Sequence, residues 1–98
     1  MFCIFSSVRY SNPKLMHVGH QHMAQTFDPK QFKGLLELQT FHISPDKGLG
    51  IFTFDNQENM QKNLPNLKAF NKDYEDRFSC KITVDTGIEN PELSYKAQ

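Results

Sequence analysis

The stretch Gly34 to Asp55, GLLELQTFHISPDKGLGIFTFD, reads as two strands joined by a turn. Leu35 to Ile43 and Leu49 to Phe54 are rich in apolar, aromatic and β-branched residues, the composition of a pleated, half-buried surface. Between them Ser44 to Gly48 has turn chemistry. Pro45 presets φ, Asp46 can bond back to the backbone, and Gly48 is expected to take a left-handed conformation. Pairing Ile43 with Leu49 puts Leu38, Thr40 and His42 on the face that carries Phe52 and Phe54. A bulge at the turn would flip His42 to the other face.

Toward the N-terminus, Phe2 to Tyr10 forms a strand whose first half is apolar on both faces: Phe2 and Ile4 point one way, Cys3 and Phe5 the other. Ser11-Asn12-Pro13 then starts a helix, with a polar cap and proline at a tolerated first-turn position. Met16, Met23 and Phe27, with Gly19 or His20 between them, make its inner stripe, and Asp28-Pro29 stops it. A loop from Lys30 to Lys33 leads into the hairpin.

On the C-terminal side, Asp55 and Glu58 have capping-box spacing and open a second helix. A break is expected near Leu64-Pro65, with Asn63 capping a second piece. Leu67, Phe70, Tyr74 and Phe78 form its inner face, leaving Lys68, Asn71, Lys72, Glu75 and Asp76 toward water. Ser79 to Asp85 is the last strand, ended by Thr86-Gly87, and Ile88 to Gln98 is an extended tail.

The order β-α-β-β-α-β is the ferredoxin-like arrangement of the α+β class: a four-stranded antiparallel sheet with two helices on one face. The hairpin repeats the two-faced apolar pattern of the first strand, with Leu36 and Leu38 against Leu35, Phe41 and Ile43, and Phe52 and Phe54 against Ile51. A bare second face of that kind exceeds the apolar patch usual on a monomer. The same face of a second copy is the simplest cover, so a homodimer is expected.

The 98 residues suffice for one domain, residues 1–98. Lysine plus arginine balance aspartate plus glutamate at 11 each, so no global basic field exists to hold nucleic acid. The apolar start, Met1 to Phe5, is interrupted by Ser6, Ser7 and Arg9 and is too short to span a membrane. Cys3 and Cys80 fall in strands and read as two thiols in a reducing cytoplasm.

At this point the chain, from about Phe2 to Val84, resembles the dimeric α+β barrel superfamily and, within it, the antibiotic-biosynthesis-monooxygenase-like domains. Three features carry the resemblance: the strand order, the hairpin ending Phe52-Thr53-Phe54-Asp55, and the stretch Leu64-Pro65-Asn66-Leu67-Lys68-Ala69-Phe70, similar to a segment such domains carry at their broken second helix. Members often have tryptophan where Phe54 stands. In the haem-degrading branch a histidine stands where this chain has Asn66, and asparagine is a poor haem ligand. The resemblance therefore implies no cofactor. It implies a pocket between helices and sheet in each subunit, serving cofactor-free oxidation of an apolar or aromatic molecule, or merely binding one. Non-catalytic binding or stress-response modules share the fold and remain the alternative.

Among residues that can carry chemistry, His42 is the candidate general base, because imidazole titrates near neutral pH and its apolar neighbours would disfavour imidazolium. His20 is a second catalytic candidate. Tyr10, Phe52, Phe54 and Asn66 are the candidate substrate-binding residues, with Tyr74 and Arg9 as further polar groups. His17, His20 and His22 form H-x-x-H-x-H, but on a helix His22 sits about 160° from His20, so no metal site is expected.

Overall fold

A computed structural model of the chain describes residues 1–97; Gln98, the end of the expected tail, lies outside the described residues. The elements are β1 (Phe2–Tyr10), α1 (Pro13–Thr26), a short 3-10 turn (Pro29–Gln31), β2 (Leu35–Ser44), β3 (Lys47–Phe54), α2 (Gln57–Phe78) and β4 (Cys80–Ile88). The strands form one sheet in the order β2-β3-β1-β4, and every neighbouring pair is antiparallel. This is the ferredoxin-like arrangement expected from the sequence.

The organising hairpin is tighter than its sequence suggested. Ser44 pairs with Lys47, so Pro45 and Asp46 alone make the turn. Ser44 Oγ donates to Asp46 Oδ1 at 2.8 Å, and the Asp46 carbonyl accepts from the Tyr10 amide at 2.8 Å, tying the turn to the end of β1. Gly48 is a strand residue and not left-handed; the only glycine with positive φ among the described residues is Gly34, at 79°. A bulge between His42 and Ser44 absorbs Ile43, and the register is Leu38 opposite Phe52 and His42 opposite Gly48. That differs from the Ile43–Leu49 pairing by two residues. A two-residue shift keeps every side chain on its face, and the bulge lies beyond His42, so Leu38, Thr40 and His42 still share the Phe52 face. A second bulge, between Leu35 and Glu37, sets Leu35 opposite Phe54. Leu35 then packs on the core, and Leu36, expected beside Leu38, is exposed instead.

The helix α2 corrects five expectations. Its cap is Asn56, whose side chain accepts from the Asn59 amide at 2.8 Å; Asp55 instead accepts from Asn59 Nδ2 at 2.8 Å. The helix does not break at Pro65. Proline removes one amide donor, and Gln61, whose carbonyl loses it, is exposed to water together with Pro65 itself. Asn63 caps nothing: it is buried, and Nδ2 donates to the carbonyls of Lys33 and Asn59. With no break, one helical phase runs through Met60, Asn63, Leu67, Asn71, Tyr74 and Phe78, all buried. Asn71 therefore does not face water. Glu75 is partly covered and accepts the Ile82 amide at 2.7 Å.

β4 runs past the expected stop at Thr86-Gly87 and ends at Ile88, opposite Phe2. Gly87 serves packing rather than termination, because a Cβ there would meet the Phe5 ring at 2.8 Å. Two core clusters lie between sheet and helices. One contains Ile4, Phe52, Phe54, Met60 and Leu67. The other contains Tyr10, Met16, Tyr74, Phe78 and Cys80. On the second sheet face Phe5, Leu49 and Ile51 are only partly covered and Phe41 is 43% exposed. The cysteines are unpaired: Cys3 sits opposite Gly87 and Cys80 opposite Tyr10, at the two ends of the β1–β4 ladder. No helix among the described residues is long and apolar enough to cross a membrane.

Candidate functional site

A cavity of about 410 Å3 lies between the helices and the sheet. Each helix contributes one stripe at i, i+3, i+4 and i+7: His20, Met23 and Ala24 from α1 with Phe27 at its C-cap, and Leu67, Phe70, Asn71 and Tyr74 from α2. Alternate residues of the strands make the floor. The row Thr40, Gly50, Ser6 crosses three strands in register. Small side chains along that row leave the sheet hollow where larger residues would reach the helices. The bulky row Leu38, Phe52, Ile4 on one side, and Tyr10 on the other, close the hollow by joining the two cores.

The polar groups on this apolar lining are few: Ser6, Thr40, His20, His42, Asn71, Tyr10 and Tyr74, with no lysine, arginine, aspartate or glutamate among the described lining residues. His20 is half-buried. Its ring stands edge-on to Tyr10 at 5.7 Å and 5.3 Å from the ring of His42, measured between centroids. The ring lies over Gly48, where a Cβ would stand 3.4 Å from His20 Nε2, an ordinary contact. Burial, then the neighbouring His42 and His17, hold the His20 pKa below the ordinary histidine value. His42 lines the same cavity but is exposed at its rim, so the burial expected to act on His42 acts on His20.

The hydroxyls of Tyr10 and Tyr74 share a hydrogen bond of 2.5 Å. Burial raises the pKa of both, and in Tyr74 the bond to Tyr10 raises it further. Gly19 lets α1 approach this pair: a Cβ there would fall against the Tyr74 hydroxyl and 3.1 Å from the Tyr10 ring. Asn71 is only 8% exposed, and its Nδ2 has no hydrogen-bond partner. Burial also pushes the Cys80 thiol up to about 11, which leaves it a poor nucleophile at neutral pH.

The cavity thus gathers His42, His20, Tyr10 and Phe52. Phe54 and Asn66 stand outside it. Phe54 is 1% exposed within the neighbouring core, because it lies beyond the closing Phe52 row. Asn66 lines a smaller pocket of about 280 Å3 near Phe27, Phe32 and Phe70. Arg9 is exposed and reaches toward Asp46 at 3.9 Å. His17 joins His20 and His42 around an outer groove, whereas His22 packs on Phe78 at 5.2 Å. No group of three or more metal-ligating side chains comes together among the described residues. Asn71 was the residue missed in the sequence. Its signal was its place four after Leu67 and three before Tyr74, inside the expected inner stripe, and its polar side chain hid that signal.

No protein-family model and no curated protein matches the chain. Solved structures do. A dimeric ferredoxin-like protein from an uncultured marine organism superposes with a TM-score of 0.74 at 13% identity, covering 100% of both chains. A Deinococcus radiodurans protein, provisionally described as an antibiotic biosynthesis monooxygenase, gives 0.70 at 16% identity over 99% of this chain and 100% of its own. A monooxygenase of Streptomyces coelicolor, solved with nanaomycin D, gives 0.60 at 9% identity over 91% of this chain and 88% of its own. At such identities the likeness is one of fold, and the chain has the ferredoxin-like α+β fold that these structures share.

Proposed function

We propose that the chain is a cofactor-independent, monooxygenase-like enzyme acting on a small apolar or aromatic molecule held in the cavity between helices and sheet. The observation that supports this reading is His20: a half-buried imidazole, held neutral at physiological pH, on an otherwise apolar and uncharged wall. In this reading His20 takes a proton from the bound molecule, and His42, at the rim beside it, passes the proton to water. The deprotonated substrate reduces dioxygen. One oxygen atom enters the product, the other leaves as water, and the substrate loses two hydrogens. Thr40, Ser6 and the tyrosine pair orient the substrate, and Phe52 and Phe70 hold its apolar body.

The working form is a homodimer with the second sheet faces packed together. Phe41 and Ile43, 43% and 53% exposed, motivate this pairing, as does the dimeric ferredoxin-like structural neighbour. The tail after Ile88, with Leu93 and Tyr95 at 86% and 89% exposure, reaches over the partner.

Native mass spectrometry of protein purified without added ligand tests both parts. The expected spectrum shows a dimer that releases a neutral organic molecule on denaturation. Oxygen consumption with the released molecule should then stop in His20→Gln and fall in His42→Ala. A stable monomer at micromolar concentration would refute the dimer. Binding without oxygen uptake would make the chain a binding module.

A further inference from the structure

We propose that the smaller pocket, of about 280 Å3 at the far end of α1, is an annex of the cavity that takes a neutral, unbranched alkyl tail, so that the ligand is an apolar ring system carrying such a chain. The proposal rests on the cavity reading above and adds the shape of the ligand. Phe27 caps α1 in an extended conformation. Asp28-Pro29 then leads into the 3-10 turn, where Asp28 Oδ1 accepts from the Lys30 amide at 3.0 Å. That connector brings Phe32 back to the sheet, its ring 5.6 Å from Phe27 and 5.7 Å from Phe52 between centroids. The space left between the connector and the two helices is the annex. At about 280 Å3 it falls just short of the roughly 300–1,000 Å3 of a small-molecule site, so it suits part of a ligand rather than a whole one.

Met23, Phe27, Phe52, Leu67 and Phe70 line both spaces and form the partition between them. Phe52 and Leu67 are fixed in the core. Met23 is unbranched and adaptable, and Phe70 is 40% exposed, so their side of the partition parts by side-chain rotation without moving the backbone. A gap of that kind passes a thin chain and stops a branched group. Phe27 stands seven residues after His20, about 10 Å along the helix, so a ring system held at His20 presents its far end to the partition. The annex interior is aromatic, and its own polar residues, Thr26, Asp28, Gln31 and Asn66, are exposed at its rim. No lysine, arginine or histidine lines it among the described residues, so an anionic tail would meet Asp28 without a counter-charge. A neutral alkyl chain needs no partner.

The test compares two isomeric probes, 2-butylfluorene and 2-tert-butylfluorene, with fluorene itself. The isomers have the same atoms, so general hydrophobicity does not separate them. Each methylene that enters the annex is expected to tighten binding about fourfold. The wild type should therefore bind the butyl isomer at least about tenfold more tightly than the tert-butyl one. Asn66→Trp on α2 and Gln31→Trp on the connector, both at exposed positions, fill the annex from different elements; in each variant the isomers should bind within about twofold of each other. Equal binding of the isomers by a wild type that binds fluorene would overturn the annex and leave the cavity reading intact. A butyl preference that survives in a variant with the circular dichroism of the wild type would place the tail elsewhere and overturn the annex too. Failure of all three probes to bind would overturn the cavity reading and the annex with it.

Discussion

Gly19→Ala isolates how closely α1 must approach the tyrosine pair. Two effects of opposite sign compete. Alanine is the better helix former by about 1 kcal/mol, which favours the variant. Its Cβ, however, would meet the Tyr74 hydroxyl closer than 3.0 Å and the Tyr10 ring at 3.1 Å. Both rings are buried, at 4% and 3% exposure, and belong to one core cluster, so neither can swing into solvent. Overpacking of this kind costs about 1–3 kcal/mol, and parting the hydroxyls forfeits about 1 kcal/mol more. The steric side wins, leaving a net loss of about 2 kcal/mol. For a chain of this size that is a fall in Tm of about 8–16 °C. Denaturant titration followed by circular dichroism reads the loss, and tyrosine fluorescence reads the changed environment of the pair. An unchanged or raised Tm would refute the reasoning, because it would mean that helix propensity outweighs the contact and that α1 is free to lift away.

Gly50→Ala should raise the cavity floor without a clash, because the nearest groups to a new Cβ are the Phe52 ring at 3.7 Å and Leu38 and the Ser6 carbonyl at 3.9 Å, ordinary contacts. Binding of fluorene, a flat apolar probe, should weaken while the fold is kept; unchanged binding would place the ligand elsewhere. His20 should make stability fall in acid. Its folded pKa lies below the unfolded value near 6.5, so the unfolded chain takes up its proton first. The contribution is complete above about pH 6.5 and is lost as pH falls from there toward the folded pKa, a loss that His20→Gln should abolish in pH-dependent melting curves. Pro65→Ala should stabilise α2 by up to about 3 kcal/mol, since it restores a backbone donor inside a continuous helix; a destabilised variant would show that the proline ring itself is needed for packing.

Much of the fold was legible because its signals are local. The period-2 apolar runs of the hairpin and of Phe2 to Tyr10, the turn at Pro45-Asp46, and the cap at Asn12, whose side chain accepts from the Leu15 amide, each act over a few residues and specify their elements unaided. The parity of the hairpin was set by the same pattern, which is why His42 keeps its face despite a register two residues from the expected one. What the chain order could not decide depended on distant partners. Pro65 stays helical because Asn63, Leu67 and Asn71 are held on both sides of it by tertiary contacts, and packing overrides the local penalty. His20 rather than His42 is the more buried histidine because α1 lies over Gly48, a residue 28 positions away. The cavity itself is the space above Thr40, Gly50 and Ser6, three small residues from three strands that become one surface only when the sheet pairs them.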